Sequence, residues 1–129
     1  MDDDSTQDIQ QVDDDEALFR RVIQIWIQKK DDGTLKLSSA SYNQRTGDIS
    51  VDIASKTTPE KSIKGAPALV ELLAKVPKDL GHPVVEAPIE EDLECGIEAN
   101  PAHALITGKM NKAHAKKLAV ASSWAILPC

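Results

Sequence analysis

Hydrophobic and polar residues alternate over several short stretches in the first half of the chain. Residues 22–28 place isoleucine at every second position among residue types that favour strands. Residues 35–37 resume the alternation after the turn residues 31–33, which predicts a hairpin. A second turn at residues 46–48 leads into the alternating stretch 49–54. The first half is therefore predicted to be a three-stranded antiparallel meander.

The period of the pattern changes after Gly65. Apolar residues then recur at helical spacing, at Leu69, Leu72, Leu73, Val76 and Leu80. Pro67 suits the first turn of a helix and Gly81 its end, so residues 67–80 are predicted to form an amphipathic helix. The polar stretch 55–64 before it is predicted to be a connecting loop.

The last third of the chain predicts short strands and one more helix. Residues 83–101 hold three prolines and six acids without a base, which favours one or two edge strands in an irregular region. Residues 102–106 predict a further strand, and the alanine-rich residues 111–124 predict a helix that can approach a sheet closely. The order β-β-β-α-β-α indicates an α+β fold, with a mainly antiparallel sheet and two helices packed on one face.

Charge divides the chain into an acidic start and a basic end. The first sixteen residues carry eight acids, more than the formal net charge of −6, so the remainder is close to neutral. All the charges after Thr107 are lysines, at Lys109, Lys112, Lys116 and Lys117. Because an acidic run with few apolar residues buries too little surface to offset its ordering entropy, residues 1–15 are expected to be a disordered tail. Residues 16–129 are expected to form a single α+β domain.

Composition narrows the function classes. Aromatic residues make up only 3% of the 129 residues, which removes most of the stacking surfaces used by single-strand nucleic-acid binders. No stretch approaches the roughly 20 apolar residues that cross a bilayer, and the first residues do not resemble a signal peptide. A cytoplasmic location is therefore expected, with Cys95 and Cys129 as free thiols.

The candidate catalytic residues are few. The spacing of His82, His103 and His114 matches no metal-ligand pattern, so no metal or other cofactor is predicted. His103 lies in a predicted strand, where it is interpreted first as a hydrogen-bonded core histidine. The alternative is a hydrolase-type enzyme that uses His103 as a base with Ser38 or Ser39. Neither serine has the flanking glycines of a nucleophile elbow, so a non-enzymatic role is favoured.

The basic C-terminal helix is the main candidate binding surface. Its lysines recur at intervals of three and four residues, so several of them share one helix face. That face can attract the acidic surface of another protein or, more weakly, a nucleic acid, and the alternative is an ordinary solvated face. Trp26 and His103 complete the predicted binding residues.

Four motifs resemble those of a group of small uncharacterised bacterial proteins. The motifs are a hydrophobic-Arg-Arg start, a Ser-Ser-x-x-aromatic step, a Ser-Val step and a Pro-x-His-Ala step, at residues 18–22, 37–42, 49–52 and 100–108. The resemblance covers roughly residues 18–125, up to the late Trp124, and carries no activity. It implies bacterial origin and structural or recognition roles for Ser38, Ser39 and His103. The expected function is that of a small binding or adaptor protein, an accessory subunit of a larger system, with another protein as partner.

Overall fold

The computed structural model describes residues 10–43 and 48–128. The strands are β1 (Ala17–Val22), β2 (Ile27–Lys29), β3 (Leu35–Leu37), β4 (Ile49–Ile53), β5 (Ala68–Leu73), β6 (Val84–Glu86), β7 (His103–Ile106) and β8 (Ser123–Ile126). The α-helices are α1 (Pro59–Ile63), α2 (Lys75–Asp79) and α3 (Lys112–Ala121). Six strands form one antiparallel sheet in the order β6-β7-β4-β1-β5-β8, and β2 pairs with β3 separately. The predicted α+β class with a mainly antiparallel sheet is confirmed.

The hydrophobic core lies between one face of the large sheet and α3. Cross-strand register aligns Leu18 of β1 with Ile53 of β4 and Leu72 of β5, and all three side chains are buried. Ala115, Leu118 and Ala119 of α3 belong to the same buried cluster. We call this side of the sheet the core face.

The opposite side of the sheet, which we call the α1 face, is in contact with α1. This helix begins at Pro59, after Thr58 has capped it by accepting a hydrogen bond from the Lys61 backbone N–H. It ends where Lys64 takes a left-handed conformation with φ of 45°. The prediction of a plain loop over residues 55–64 was therefore wrong, because the Thr-Pro start is a helix signal.

The predicted strand over residues 22–28 was also wrong. β1 ends at Val22, the chain makes a 3₁₀ turn at Gln24–Trp26, and β2 follows. The alternation here marks no buried face, since Ile25 is 79% exposed. The predicted hairpin is confirmed by the pairing of Ile27 with Leu37. The predicted meander is not, because β4 pairs with β1 and β7 instead of β3.

The segment predicted as a helix over residues 67–80 contains β5. This strand pairs with β1 over six residues and with β8 on its other side, so Leu69 and Val70 are buried on opposite faces. A short apolar run fits a helix or a strand buried on both faces equally well, and here the pairing decides. Only α2 is helical, and Pro77 is tolerated there because the first turn of a helix has no intrahelical N–H bonds to lose.

The remaining predictions concern the two ends of the sheet. β6 and β7 confirm an edge strand within residues 83–101 and a strand within residues 102–106. The predicted C-terminal helix is confirmed as α3, but it ends at Ala121, and Trp124 belongs to β8. No helix in residues 10–43 or 48–128 is long and apolar enough to cross a bilayer.

Residues 10–12 lie along the edge strand β6. Gln11 forms a bridge with Val85, and the Val12 N–H donates to the Val84 carbonyl at 2.8 Å. The Val12 side chain is buried in the core. The assignment of residues 10–15 to a disordered tail was therefore wrong. Residues 1–9, the turn residues Thr46 and Gly47, and Cys129 lie outside the described residues.

Candidate binding groove

Two adjoining cavities lie between the β2–β3 hairpin and the C-terminal half of α3. Their volumes are about 290 and 230 Å³, and Lys36, Leu37, Ala119 and Val120 line both. Gln28, Ser38, Ser39 and Lys116 extend the lining at one end, and Lys30, Leu35, Val70, Ser122 and Trp124 extend it at the other. We call the combined depression the basic groove.

The turn of the hairpin holds one wall of the groove in place. Asp32 accepts hydrogen bonds from the Thr34 hydroxyl at 2.6 Å and the Thr34 N–H at 2.9 Å. These bonds lower the pKa of Asp32, which keeps its carboxylate charged. Gly33 supplies the φ of 88° that the turn requires. Lys30 and Lys36 consequently project from a defined two-stranded support.

A buried arginine anchors the base of the hairpin. Arg20 on β1 donates from Nε and Nη2 to the Ser41 carbonyl, at 3.2 and 3.0 Å, and from Nη1 to the Ser50 carbonyl at 2.9 Å. Its guanidinium also lies 5.2 Å from the centre of a Trp26 ring. Burial lowers the pKa of Arg20, while the ring and the carbonyls stabilise the positive charge of its guanidinium. Trp26 therefore serves as an internal support of the hairpin.

A hydrogen-bond chain joins the hairpin side of the groove to α3. The Ser122 hydroxyl donates to the Leu118 carbonyl at 2.8 Å and lies 2.7 Å from the Tyr42 hydroxyl. Since the serine proton points to Leu118, the Tyr42 hydroxyl is the donor in the second bond. Burial raises the pKa of Tyr42 to about 12. The two walls are thus fixed relative to each other by a neutral phenol.

The groove combines positive charge with apolar surface. Lys30, Lys36 and Lys116 form no ion pair with any residue in the described ranges, and no acid among those residues lines either cavity. Val120 is 73% exposed at its rim. Beside the groove, β8 forms the edge of the six-stranded sheet. The groove therefore brings lysine ammonium groups, an apolar floor and a strand edge together.

The predicted lysines divide into one groove residue and three outside it. Lys116 lines the groove, whereas Lys109, Lys112 and Lys117 are exposed and line neither of its two cavities. Lys30 and Lys36 belong to the groove and were missed. They flank the turn of the predicted hairpin, so a search for charge around that turn would have found them.

The structure separates the serines from the predicted histidine base. His103 pairs with Asp52 across β7 and β4, so both side chains project from the α1 face. Ser38 and Ser39 line the groove on the core face. The half-buried His103 ring has Nδ1 2.8 Å from the Ala87 carbonyl, which matches a structural hydrogen bond. A catalytic pair of His103 with either serine is not formed.

Two other histidines are in contact, which the sequence pattern did not indicate. The buried His82 has Nε2 2.8 Å from Nδ1 of His114, and its Nδ1 is 3.1 Å from the Thr107 carbonyl. Within the described part of the chain, no cluster of three or more histidine, cysteine or acidic side chains is suited to hold a metal ion. The pair joins α3 to the start of β6.

Comparisons with protein-family models, with curated proteins and with solved structures found no match to this chain. The resemblance to a bacterial group stays a prediction. Any assignment of function to this chain therefore depends on the geometry of its described residues.

Proposed function

We propose that the protein is a non-enzymatic binding or adaptor domain, which takes an acidic, extended segment of a partner protein into the basic groove. The observation that carries the proposal is the set of three lysines, none in an ion pair with a described residue, around an apolar floor. The proposal places the protein in the bacterial cytoplasm as an accessory subunit of a larger system.

The groove suits an extended segment with alternating side chains better than the surface of a folded protein. Its two cavities together provide roughly 500 Å³, room for a few side chains of an extended segment. Alternate residues of such a segment point the same way, so acidic side chains reach Lys36 and Lys116 while apolar ones lie on Leu37 and Val120. The edge of β8 offers main-chain hydrogen bonds to the same segment.

Nucleic acid is the weaker candidate for this groove. Single-strand binders stack bases on aromatic rings, and the whole chain has two Trp, one Tyr and one Phe. Tyr42 and Phe19 are buried, and Trp26 is engaged by Arg20. Among the described residues that line the groove, only Trp124 is aromatic. The positive charge is therefore matched better by carboxylates than by stacked nucleotides.

The test uses a fluorescent peptide of alternating glutamate and leucine, with a lysine-leucine peptide of equal length for comparison. Fluorescence anisotropy is expected to detect binding of the acidic peptide alone, and added salt should weaken it through screening over about 8 to 10 Å. The double variant Lys36→Glu, Lys116→Glu is expected to weaken binding by at least about ten-fold. The fold should persist, because exposed charges contribute little to stability.

The matched control is Lys109→Glu, Lys117→Glu, which makes the same change of charge outside the groove. It is expected to alter the affinity no more than about three-fold, through long-range attraction only. Equal loss in both double variants would mean that overall charge, and not the groove, attracts the peptide. Tighter binding of single-stranded RNA than of the peptide would favour the nucleic-acid alternative.

A further inference from the structure

A separate cavity lies on the α1 face of the sheet, away from the basic groove. Its volume is about 360 Å³, and it opens between α1, the segment that leads into it from β4, and residues 98–101. The polar residues around it are Asp52, Lys56, Thr57, Lys61, Lys64, Glu98 and Asn100. Three lysines therefore face a single cavity of ligand size.

The floor of this cavity is a buried, fully bonded carboxylate. Asp52 Oδ2 accepts from the Arg21 Nη1 at 3.1 Å and from the Ser62 hydroxyl at 2.6 Å. Asp52 Oδ1 accepts from the Asn100 Nδ2 at 3.0 Å. The charge of Asp52 is thus balanced by Arg21, and both of its oxygens accept hydrogen bonds from neighbouring side chains, so its role here is structural. It instead ties β1, β4, α1 and the loop before β7 into a rigid support.

Apart from the two acids, Asp52 and Glu98, the polar side chains around the cavity are mainly cations or hydrogen-bond donors. Lys61 and Lys64 form no ion pair with a described residue, whereas Lys56 pairs with Glu86 at 2.8 Å. Asn100 Oδ1 accepts from the Ala102 N–H, which fixes the direction of its amide. Its Nδ2 carries a second hydrogen beyond the one given to Asp52. Arg21 balances Asp52 and Glu86 balances Lys56, so Lys61 and Lys64, which form no ion pair with a described residue, outweigh the single negative charge of Glu98 and leave the cavity positive.

We propose that this cavity binds a small phosphate-bearing ligand of hexose-phosphate size. The phosphate lies between Lys61 and Lys64, with the Thr57 hydroxyl and the Asn100 amide as further donors. Glu98, on the remaining side, accepts hydrogen bonds from hydroxyl groups of the ligand. The volume is near the lower end of the roughly 300 to 1,000 Å³ of ligand pockets, which favours a single sugar unit over a dinucleotide. This site is independent of the basic groove.

Isothermal titration calorimetry at fixed ionic strength tests the proposal with four probes: a hexose phosphate, the same hexose without phosphate, inorganic phosphate and sulfate. Either phosphate is expected to bind more tightly than sulfate, and the free hexose is expected not to bind. The probe that binds more tightly, the hexose phosphate or inorganic phosphate, shows whether the site recognises a phosphorylated sugar or the free ion. Equal affinity for phosphate and sulfate, or no binding of either phosphate, would overturn the proposal.

The double variant Lys61→Gln, Lys64→Gln is expected to weaken phosphate binding by at least about ten-fold, through loss of two charge-assisted contacts. The control Lys75→Gln, Lys117→Gln removes the same charge outside the cavity and should leave the affinity within about two-fold. Circular dichroism verifies that each variant is folded. Unchanged affinity in the folded cavity variant would place the phosphate elsewhere. The groove variant Lys36→Glu, Lys116→Glu should bind phosphate normally, so the two proposals can fail separately.

Discussion

Replacement of Asp52 with alanine removes the shared acceptor of the polar cluster beside α1. Ser62 is 1% exposed, so its hydroxyl would be left without an acceptor inside the protein, whereas the 8% exposed Asn100 also lines the cavity on the α1 face, where water replaces part of its lost bond. Each buried donor without a partner costs roughly 1 to 3 kcal/mol. Arg21 loses less, because its side chain is 30% exposed and still donates to the Ser62 carbonyl. The expected loss of unfolding free energy is about 3 to 5 kcal/mol.

Urea unfolding measures this loss directly. With an m-value of about 2 kcal/mol/M, a loss of 3 kcal/mol lowers the midpoint by about 1.5 M. Asp52→Asn keeps the volume but leaves one acceptor oxygen for two groups of donors, so it should cost less, about 2 to 3 kcal/mol. The control Asp48→Ala removes an exposed carboxylate just before β4 and should change stability by no more than about 0.5 kcal/mol. If Asp52→Ala unfolded at the same urea concentration as Asp48→Ala, the cluster would hold nothing together.

Three further outcomes are expected. The raised pKa of Tyr42, about 12 against an ordinary value of about 10, means that the neutral phenol stabilises the fold below pH 10 and that this stabilisation is lost as pH rises towards 12. The chain has a single tyrosine, so tyrosinate absorbance near pH 10 in folded protein would contradict this. Gly108→Ala would place a Cβ 3.1 Å from His82 Nδ1. Thermal unfolding should show a loss of stability about 1 kcal/mol larger than for the control Gly33→Ala, where φ is similar but no atom lies within 4 Å of the added Cβ. Equal losses would mean that the His82 ring moves aside without cost. Val12→Ala should cost about 1 to 3 kcal/mol against no more than about 0.5 for Asp13→Ala, and similar values would show that residues 10–12 do not pack on the sheet.

The sequence predicted those elements in which local signals and long-range contacts agree. β4 and the β2–β3 hairpin combine alternation with turn residues, and the structure has them in place. β5 failed because its leucines satisfy helical spacing and strand burial at once, and only its pairing with β1 separates the two. The strand predicted over residues 22–28 was wrong for a different reason. Their alternation is regular, but the chain leaves the large sheet after Val22, and no local pattern records that departure.

The candidate sites were harder to predict than the fold. Lys116 was within reach because the helix pattern placed it on a basic face. The Asp52 cluster draws Arg21, Ser62 and Asn100 from three distant parts of the chain, so neither spacing nor composition connects them. His82 and His114 meet for the same reason, through packing of α3 against the loop before β6. Contacts of this kind follow from the order of the strands in the sheet, and the predicted meander gave that order incorrectly.

The strand order of the large sheet has a consequence for how the chain reaches its native state. Within that sheet, β6 and β7 are the one neighbouring pair of described strands that is also consecutive in the chain, and the central β1 is flanked by β4 and β5. Most pairings must therefore close long loops before they gain stability, and such topologies fold in milliseconds to seconds. A nascent chain would carry β1 with both edges open until β4 has been made and with one edge open until β5 has been made, and β5 would wait in turn for β8. Until then the unpaired backbone N–H and C=O groups of these strands are open to other chains, so newly made protein is most exposed to aggregation during synthesis.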